Sequence, residues 1–395
     1  MGDLIAKLAL EDGSVFEGNA IGAPGISEGE VVFNTSLSGY QEVFTDASYN
    51  GQMVVMTNPL IGNYGINLQD EESRRPFVRG VIVRELSRRP SNFRAQGDLA
   101  SYLKKHGVVG ISGVDTRAIT KRLRVTGCLK GVLASGDPSD ADLQSDTLVD
   151  RARSWEGLGG RDMVREVTCS APEIWTEGLD EDWSAANPAL LRSGERKIAE
   201  GLRIVAFDFG IKYNILRILH ELGFEVHRVP ADTKAEAVRA LDPAGIFLSN
   251  GPGDPEGIDY AVKEIAPLLQ QYPTFGICLG HQLTALALGA RTYKLKFGHH
   301  GGNHPVKNLG TGKVEISVQN HCYAVDAKSL DSAIEPTFIN LNDQSLEGLR
   351  HRELPIFTVQ FHPEAAPGPN DFNFLFEQFA EMVRHRKPVA LTQNH

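Results

Sequence analysis

A cysteine framed by glycines is the first group in this sequence that could do chemistry. Cys278 lies in the run Phe275-Gly276-Ile277-Cys278-Leu279-Gly280-His281-Gln282, which continues into leucines at 283, 286 and 288 with Gly289 behind them. The apolar residues read as a buried strand that ends on Cys278, and the leucine spacing as a helix that begins at the next residue. Glycine two residues before and two after lets strand and helix pack around a sharp turn, the nucleophile-elbow geometry with sulfur in place of oxygen. Such a turn lifts the side chain into a cleft and sets it at a helix N-terminus, whose partial positive charge favours the thiolate. A lone cysteine at a strand end is more often simple packing. Two further stretches change that balance.

The first is Val359-Gln360-Phe361-His362-Pro363-Glu364, an apolar strand that ends in a histidine and a glutamate two apart. In extended backbone residues i and i+2 face the same way, and Pro363 keeps His362 extended. Glu364 could then hold one ring nitrogen of His362 while the other faces the thiol, the logic of nucleophilic triads. The second is Ser249-Asn250-Gly251-Pro252-Gly253-Asp254-Pro255, directly after an apolar strand at 245–248. Glycines at 251 and 253 let backbone N–H groups approach a ligand, so one of them could complete an oxyanion hole with the Leu279 amide. Taken alone, His-Pro-Glu and Asn-Gly are ordinary turn sequences.

The elements that must position these groups begin near residue 201. Strands are expected at 202–207, 225–229, 245–248 and 274–277, and helices at 212–222, 234–241 and 259–270, the first with Ile215, Leu216, Leu219 and Leu222 on one face. This alternation implies an α/β fold, a doubly wound and mostly parallel sheet of flavodoxin-like type, whose ligands sit at the carboxyl ends of strands. Cys278 falls at such an end. A last helix at 371–384 reads as core packing. The chain up to about residue 150 is rich in short strand signals, at 8–10, 14–16, 30–34, 53–57 and 78–84, with Asp12-Gly13 as a hairpin turn and helices at 98–105 and 116–122. No particular fold is legible there. The pattern weakens between about 172 and 197. The expected organisation is a strand-rich N-terminal domain over 1–150, a connecting segment over 151–200 and the α/β domain over 201–395.

Composition sets outer limits. With 395 residues and 41% hydrophobic content the chain can bury two or three cores. A net charge of −10 without a basic run argues against a nucleic-acid surface, and no apolar stretch reaches membrane-spanning length. Four scattered cysteines, Cys128, Cys169, Cys278 and Cys322, do not make a disulfide framework. A reduced, cytoplasmic protein is expected. His299, His300 and His304 lack cysteine or carboxylate partners at zinc-like spacing, so hydrogen bonding beside the cleft is expected of them rather than metal binding. Gly310-Thr311-Gly312-Lys313-Val314 lacks the first glycine and the hydroxyl of a phosphate loop, and Gly251-Pro252-Gly253 reaches no third dinucleotide-loop glycine. No ATP site and no cofactor are expected on this chain.

The three sites together resemble the class I, triad-type glutamine amidotransferases. The runs Phe297-Gly298-His299-His300-Gly301-Gly302-Asn303-His304-Pro305 and Phe33-Asn34-Thr35-Ser36-Leu37-Ser38-Gly39-Tyr40-Gln41-Glu42 extend the likeness, over nearly the whole chain, to the small-subunit family of carbamoyl-phosphate synthetase. The resemblance implies that Cys278, His362 and Glu364 form the triad. It implies that L-glutamine is held by Ser48, Gly251, Gly253, Leu279, Gln282, Asn320, Cys322 and Tyr323. It further implies glutamine hydrolysis, with ammonia passed to a large subunit that uses bicarbonate, ATP and Mg2+ to make carbamoyl phosphate for arginine and pyrimidine synthesis. Pairing as a heterodimer or a higher oligomer of heterodimers, docked through the N-terminal domain, belongs to the same implication. Two positions depart from the family pattern. Cys322 stands at a usual glycine, and would be strained if the site needs a positive φ there; Ala47 replaces a usual proline beside Ser48. Alternatives are the glutaminase of another amidotransferase, a free γ-glutamyl hydrolase, or a catalytically silent regulatory subunit. The N-terminal region weighs against the first two and the complete triad against the last.

Overall fold

The computed structural model describes residues 4–179 and 197–391. Residues 180–196, part of the connecting segment expected over 151–200, lie outside the described residues. The chain divides into two compact units, Met1–Gly159 with Lys296–Gly301, and Gly160–Leu295 with Gly302–His395.

The first unit is built on β1 (Ile5–Leu10), β2 (Val15–Gly22), β3 (Gly25–Asn34), β4 (Gln52–Met56), β5 (Leu60–Ile61), β6 (Gly80–Ile82), β7 (Glu85–Leu86), β8 (Val109–Ser112) and β9 (Leu129–Gly136). Strands β1-β2-β8-β6-β4-β3-β9 close into a barrel, while β5 and β7 pair separately. Alternate residues such as Leu8, Val31, Phe33, Met53, Val55, Ile111 and Leu133 form its core, the period-2 pattern of a sheet with one buried face. Closure leaves no unpaired edge. The strands expected at 8–10, 14–16 and 30–34 are the apolar ends of longer ones. Their remaining parts carry Glu17, Asn19, Ser27 and Glu28, so the hydrophobic signal stops before the pairing does. The expected helices occur as Leu99–Lys105 and Thr116–Thr126, each started by an aspartate: Asp98 accepts from the Ser101 N–H and Asp115 from the Ala118 N–H.

The second unit carries a ten-stranded sheet. Its strands are β10 (Glu173–Trp175), β11 (Arg203–Asp208), β12 (Glu225–Pro230), β13 (Gly245–Leu248), β14 (Thr274–Ile277), β15 (Thr292–Asn308), β16 (Val314–Val325), β17 (Ile334–Asn340), β18 (Leu346–His351) and β19 (Ile356–Val359). The spatial order is β10-β12-β11-β13-β14-β19-β18-β17-β15-β16. From β12 to β19 the neighbours are parallel. That order, second-first-third-fourth-fifth, is the flavodoxin-like form of the doubly wound sheet, with its switch point between β11 and β13. Beyond β19 the sheet continues through β18 and β17 in antiparallel pairing. The helix expected at 371–384 begins only at Phe374. Asp371 is engaged elsewhere, accepting from the Ile316 N–H of β16.

An aromatic seam holds the parallel strands to that last helix. The Phe275 ring lies 4.4 Å from Phe357, 5.4 Å from Phe247 and 5.7 Å from both Phe376 and Phe379. Phe275 is fully buried two residues before Ile277, the strand end that leads to Cys278. Phe275→Ala should therefore destabilise the second unit by about 3–5 kcal/mol. Urea unfolding followed by aromatic fluorescence measures this; a loss under about 1 kcal/mol would contradict the seam's role.

Candidate active site

Sheet and helix meet at Cys278 through close backbone contact. A Cβ on Gly280 would stand 2.1 Å from the Leu248 carbonyl oxygen, and one on Gly276 2.8 Å from the Gly280 carbonyl group. Any side chain at either place would push the helix Leu279–Ala287 off the sheet. The turn this contact demands leaves Cys278 at φ 53 and ψ −102, a backbone state that L-residues rarely adopt. Its N–H donates to Val359 O at 2.9 Å and that of Gly280 to Ser249 O at 2.9 Å, so two neighbouring strands hold the turn. The thiol is buried and donates to the Asn320 carbonyl at 3.5 Å.

His362 reaches the same strand ends by register. β14 pairs with β19 so that Ile277 lies opposite Val359. The His362 N–H then donates to Val318 O of β16 at 2.9 Å. Its Nδ1 is 2.6 Å from Glu364 Oε1. A carboxylate accepts, so Nδ1 carries the proton. Nε2 is buried and has no hydrogen-bond partner. Glu364 is itself clamped. Its Oε1 lies 2.9 Å from the ammonium of Lys212, which is only 2% exposed, and Lys212 Nζ also donates to Ala365 O at 2.5 Å. The Asn214 amide donates to Glu364 O at 2.7 Å. These bonds fix a backbone that turns left-handed at Ala365 and Ala366, with φ 54 and 47.

The charges follow from these contacts. Burial would raise the Glu364 carboxyl, but Lys212 and His362 outweigh it and hold the group well below the usual carboxylate range. Burial would lower the His362 imidazole, but the charge of Glu364 and the neighbouring Cys278 sulfur push it well above its ordinary value. The arrangement favours a carboxylate and an imidazolium beside a sulfur.

The other residues singled out from the sequence lie as follows. A Cβ on Gly251 would stand 2.2 Å from Phe209 O and 2.8 Å from Leu279 Cδ2, so the glycine loop presses on both the β11 loop and the helix Leu279–Ala287. Gly253 has φ +89. The Leu279 N–H is the first of its helix and has no acceptor within it. Gln282 is buried, and its Nε2 donates to Tyr323 O at 2.8 Å and Gln360 Oε1 at 3.0 Å. Asn320, Cys322 and Tyr323 are buried on β16. Cys322 is not among the non-glycine residues of positive φ, so the strain conditional on such a φ does not arise. Ser48 lies in the first unit, buried in the turn Ala47–Tyr49, where Asp46 accepts its N–H; the turn forms with Ala47 in place of proline. Sequence reasoning missed Lys212, Asn214 and Gln360. Only Lys212 left a trace, since it holds an N-cap position where Ser, Thr, Asp or Asn is usual.

Comparison with known proteins agrees in extent with both units. Residues 205–382 match the family described as glutamine amidotransferase class-I, and residues 8–133 that described as carbamoyl-phosphate synthase small chain, CPSase domain. The chain is 52% identical to the carbamoyl phosphate synthase small chain of Syntrophotalea carbinolica, covering 97% of this chain and 98% of that one. It is 50% identical to the small chain of Rhodopirellula baltica over 98% of each. With the chloroplastic small chain of Oryza sativa it shares 49% identity, over 97% of this chain and 83% of that one.

The charge balance at His362 can be tested directly. Glu364→Gln keeps size and an acceptor but removes the carboxylate charge, a principal cause of the raised imidazole pKa. Burial, which acts the other way, is left in place, so the imidazole should titrate at lower pH in the variant. Ring nitrogen NMR of selectively labelled protein reads this. An unchanged titration would show that Glu364 does not set the charge of His362.

Proposed function

Because the chain belongs to the carbamoyl phosphate synthase small-chain family, we propose that Cys278, His362 and Glu364 carry out the hydrolysis of glutamine. The protein is the glutamine-hydrolysing subunit of that synthase. It converts L-glutamine to glutamate and ammonia, and a large subunit joins the ammonia to bicarbonate with ATP to form carbamoyl phosphate for arginine and pyrimidine synthesis. The single observation that carries the residue assignment is the buried His362, tied through Nδ1 to Glu364 at 2.6 Å with Nε2 unpartnered beside the nucleophile turn.

In this reading the Cys278 thiolate adds to the side-chain carboxamide carbon of glutamine. The new C–S bond places a negative charge on the carboxamide oxygen, which accepts from the Leu279 and Gly253 amides. As the C–N bond breaks, His362 Nε2 gives its proton to the leaving nitrogen, ammonia departs and a thioester remains. Neutral His362 then takes a proton from water, the hydroxide adds to the thioester, and the C–S bond breaks to release glutamate and restore the thiolate. Glu364 holds the imidazole in one tautomer throughout, with Lys212 holding Glu364. Ser48, Gly251, Gln282, Asn320, Cys322 and Tyr323 bind the substrate. The N-terminal domain, residues 1–150, docks the large subunit, and the complex is a heterodimer or an oligomer of heterodimers. ATP and Mg2+ bind on the large subunit. No helix among the described residues is long and apolar enough to cross a membrane. The proposed compartment is the cytoplasm, and the lack of any disulfide at Cys128, Cys169, Cys278 and Cys322 supports it.

Cys278→Ser separates the steps. An alcohol is not ionised at neutral pH, so glutamine-dependent synthesis should fall at least about 10²-fold, roughly 2.7 kcal/mol of barrier. Synthesis from ammonium chloride by the same complex should persist. Rates with both nitrogen sources on one preparation decide it. Glutamine-dependent synthesis at the wild-type rate would remove Cys278 from the chemistry.

A further inference from the structure

The switch point of the parallel sheet lies between β11 and β13, and the loops that follow these strands are locked together by one buried amide. Asn250, fully buried directly before Gly251, accepts the Lys212 N–H on Oδ1 at 3.1 Å and donates from Nδ2 to Gly210 O at 3.1 Å. The orientation of the amide is not a matter of choice. A backbone N–H only donates and a carbonyl only accepts, so each amide atom has one permitted neighbour. The adjoining Ser249 ties the same pieces a second time. Its Oγ accepts from the Phe209 N–H and donates to Asn250 O, while its carbonyl accepts the Gly280 N–H of the nucleophile helix.

These bonds set the position of a charge. Lys212 spans from its backbone, held by Asn250, to its ammonium, held by Glu364 Oε1 at 2.9 Å. Glu364 in turn holds His362. The chain of contacts therefore runs from Asn250 through Lys212 and Glu364 to the imidazole, while the next residue along, Gly251, begins the glycine loop. Phe209 O presses against Gly251 so closely that no Cβ would fit, which passes any shift of one loop to the other.

We propose that Asn250 is a positioning residue that keeps the glycine loop and the Lys212–Glu364–His362 line in register on either side of Cys278. The proposal rests on the triad reading above. Without the amide, the Lys212 N–H and the Gly210 carbonyl lose the hydrogen bonds that Asn250 gives them. The segment 210–212 then relaxes, and Lys212 no longer meets Glu364 at its present distance. The effect on catalysis passes through Lys212. It should disappear when the ammonium is already absent.

A double-mutant cycle tests this on the full chain in complex with its large subunit, with glutaminase kcat and KM measured for wild type, Asn250→Ala, Lys212→Met and the double variant. Asn250→Ala alone should lower kcat by about tenfold or more, and the double variant should lie within about threefold of Lys212→Met. Losses that multiply in the double variant would overturn the proposal, because a residue that merely supports the fold acts independently of the ammonium. A kcat for Asn250→Ala within about threefold of wild type would overturn it too. Should Asn250→Ala fail to fold, the same cycle is run with Asn250→Asp, which keeps the size and the acceptor for Lys212 but loses the donor to Gly210. Cys278→Ala is measured alongside. Activity surviving in that control would sink the triad reading itself, whereas an inactive control with an additive cycle would sink only the role of Asn250.

Discussion

Contact between the backbone of Gly280 and the Leu248 carbonyl is the constraint on which the second unit turns. It brings the helix Leu279–Ala287 against β13 more closely than any side chain would allow. The chain must then change direction within one residue, and Cys278 takes φ 53 as a result. A left-handed backbone at a non-glycine residue costs on the order of 1–3 kcal/mol. Burial of Leu279 and Leu283 in the apolar cluster under that helix offsets it. The strain has a product: a thiol fixed at a helix start, above the parallel sheet and level with the end of β19.

The charges around that thiol are organised by the same economy of space. Lys212, Glu364 and His362 are almost wholly out of water. Withdrawing an ion from water costs several kcal/mol, and a buried pair seldom returns more than it loses. Their presence is therefore poorly explained by stability. They compensate one another instead. In the proposed mechanism, which takes Cys278 as thiolate, one ammonium, one carboxylate, one imidazolium and one sulfur anion sum to zero, so proton transfer between sulfur and imidazole leaves the net charge of the site unchanged. In the proposed reaction, departure of ammonia takes the imidazolium proton and consumes the thiolate together, which again leaves the balance intact.

How much of this was legible in the sequence depended on distance along the chain. Cys278 with its two glycines, and His362 with Glu364, are local patterns whose geometry follows from strand and helix periods, and the parallel order followed from alternating elements. The first unit was not legible as a barrel. Closure pairs β1 with β9, residues with no local sign of each other, and polar residues shortened the signals of β2 and β3, while the signal at 78–84 ran past the short β6. The antiparallel half of the sheet was missed because β15 and β16 carry histidines, asparagines and glycines where an apolar run was sought. Lys212 and Ala365 are 153 residues apart, and no pattern at residue 212 announces that its side chain crosses the core. Asn250 looked like the first residue of an Asn-Gly turn. Its amide in fact serves two backbone groups of another loop.

Hydrolysis through the proposed triad requires a transient covalent bond at Cys278. Rapid mixing of the complex with glutamine, acid quench within the first turnover and peptide mass spectrometry would read it directly. A glutamyl adduct should appear on the peptide that carries Cys278, decay as glutamate is released, and be absent from the peptides that carry Cys128, Cys169 and Cys322. Hydrolysis of glutamine at the normal rate with no adduct at Cys278, or with the adduct on Cys322, would contradict the mechanism.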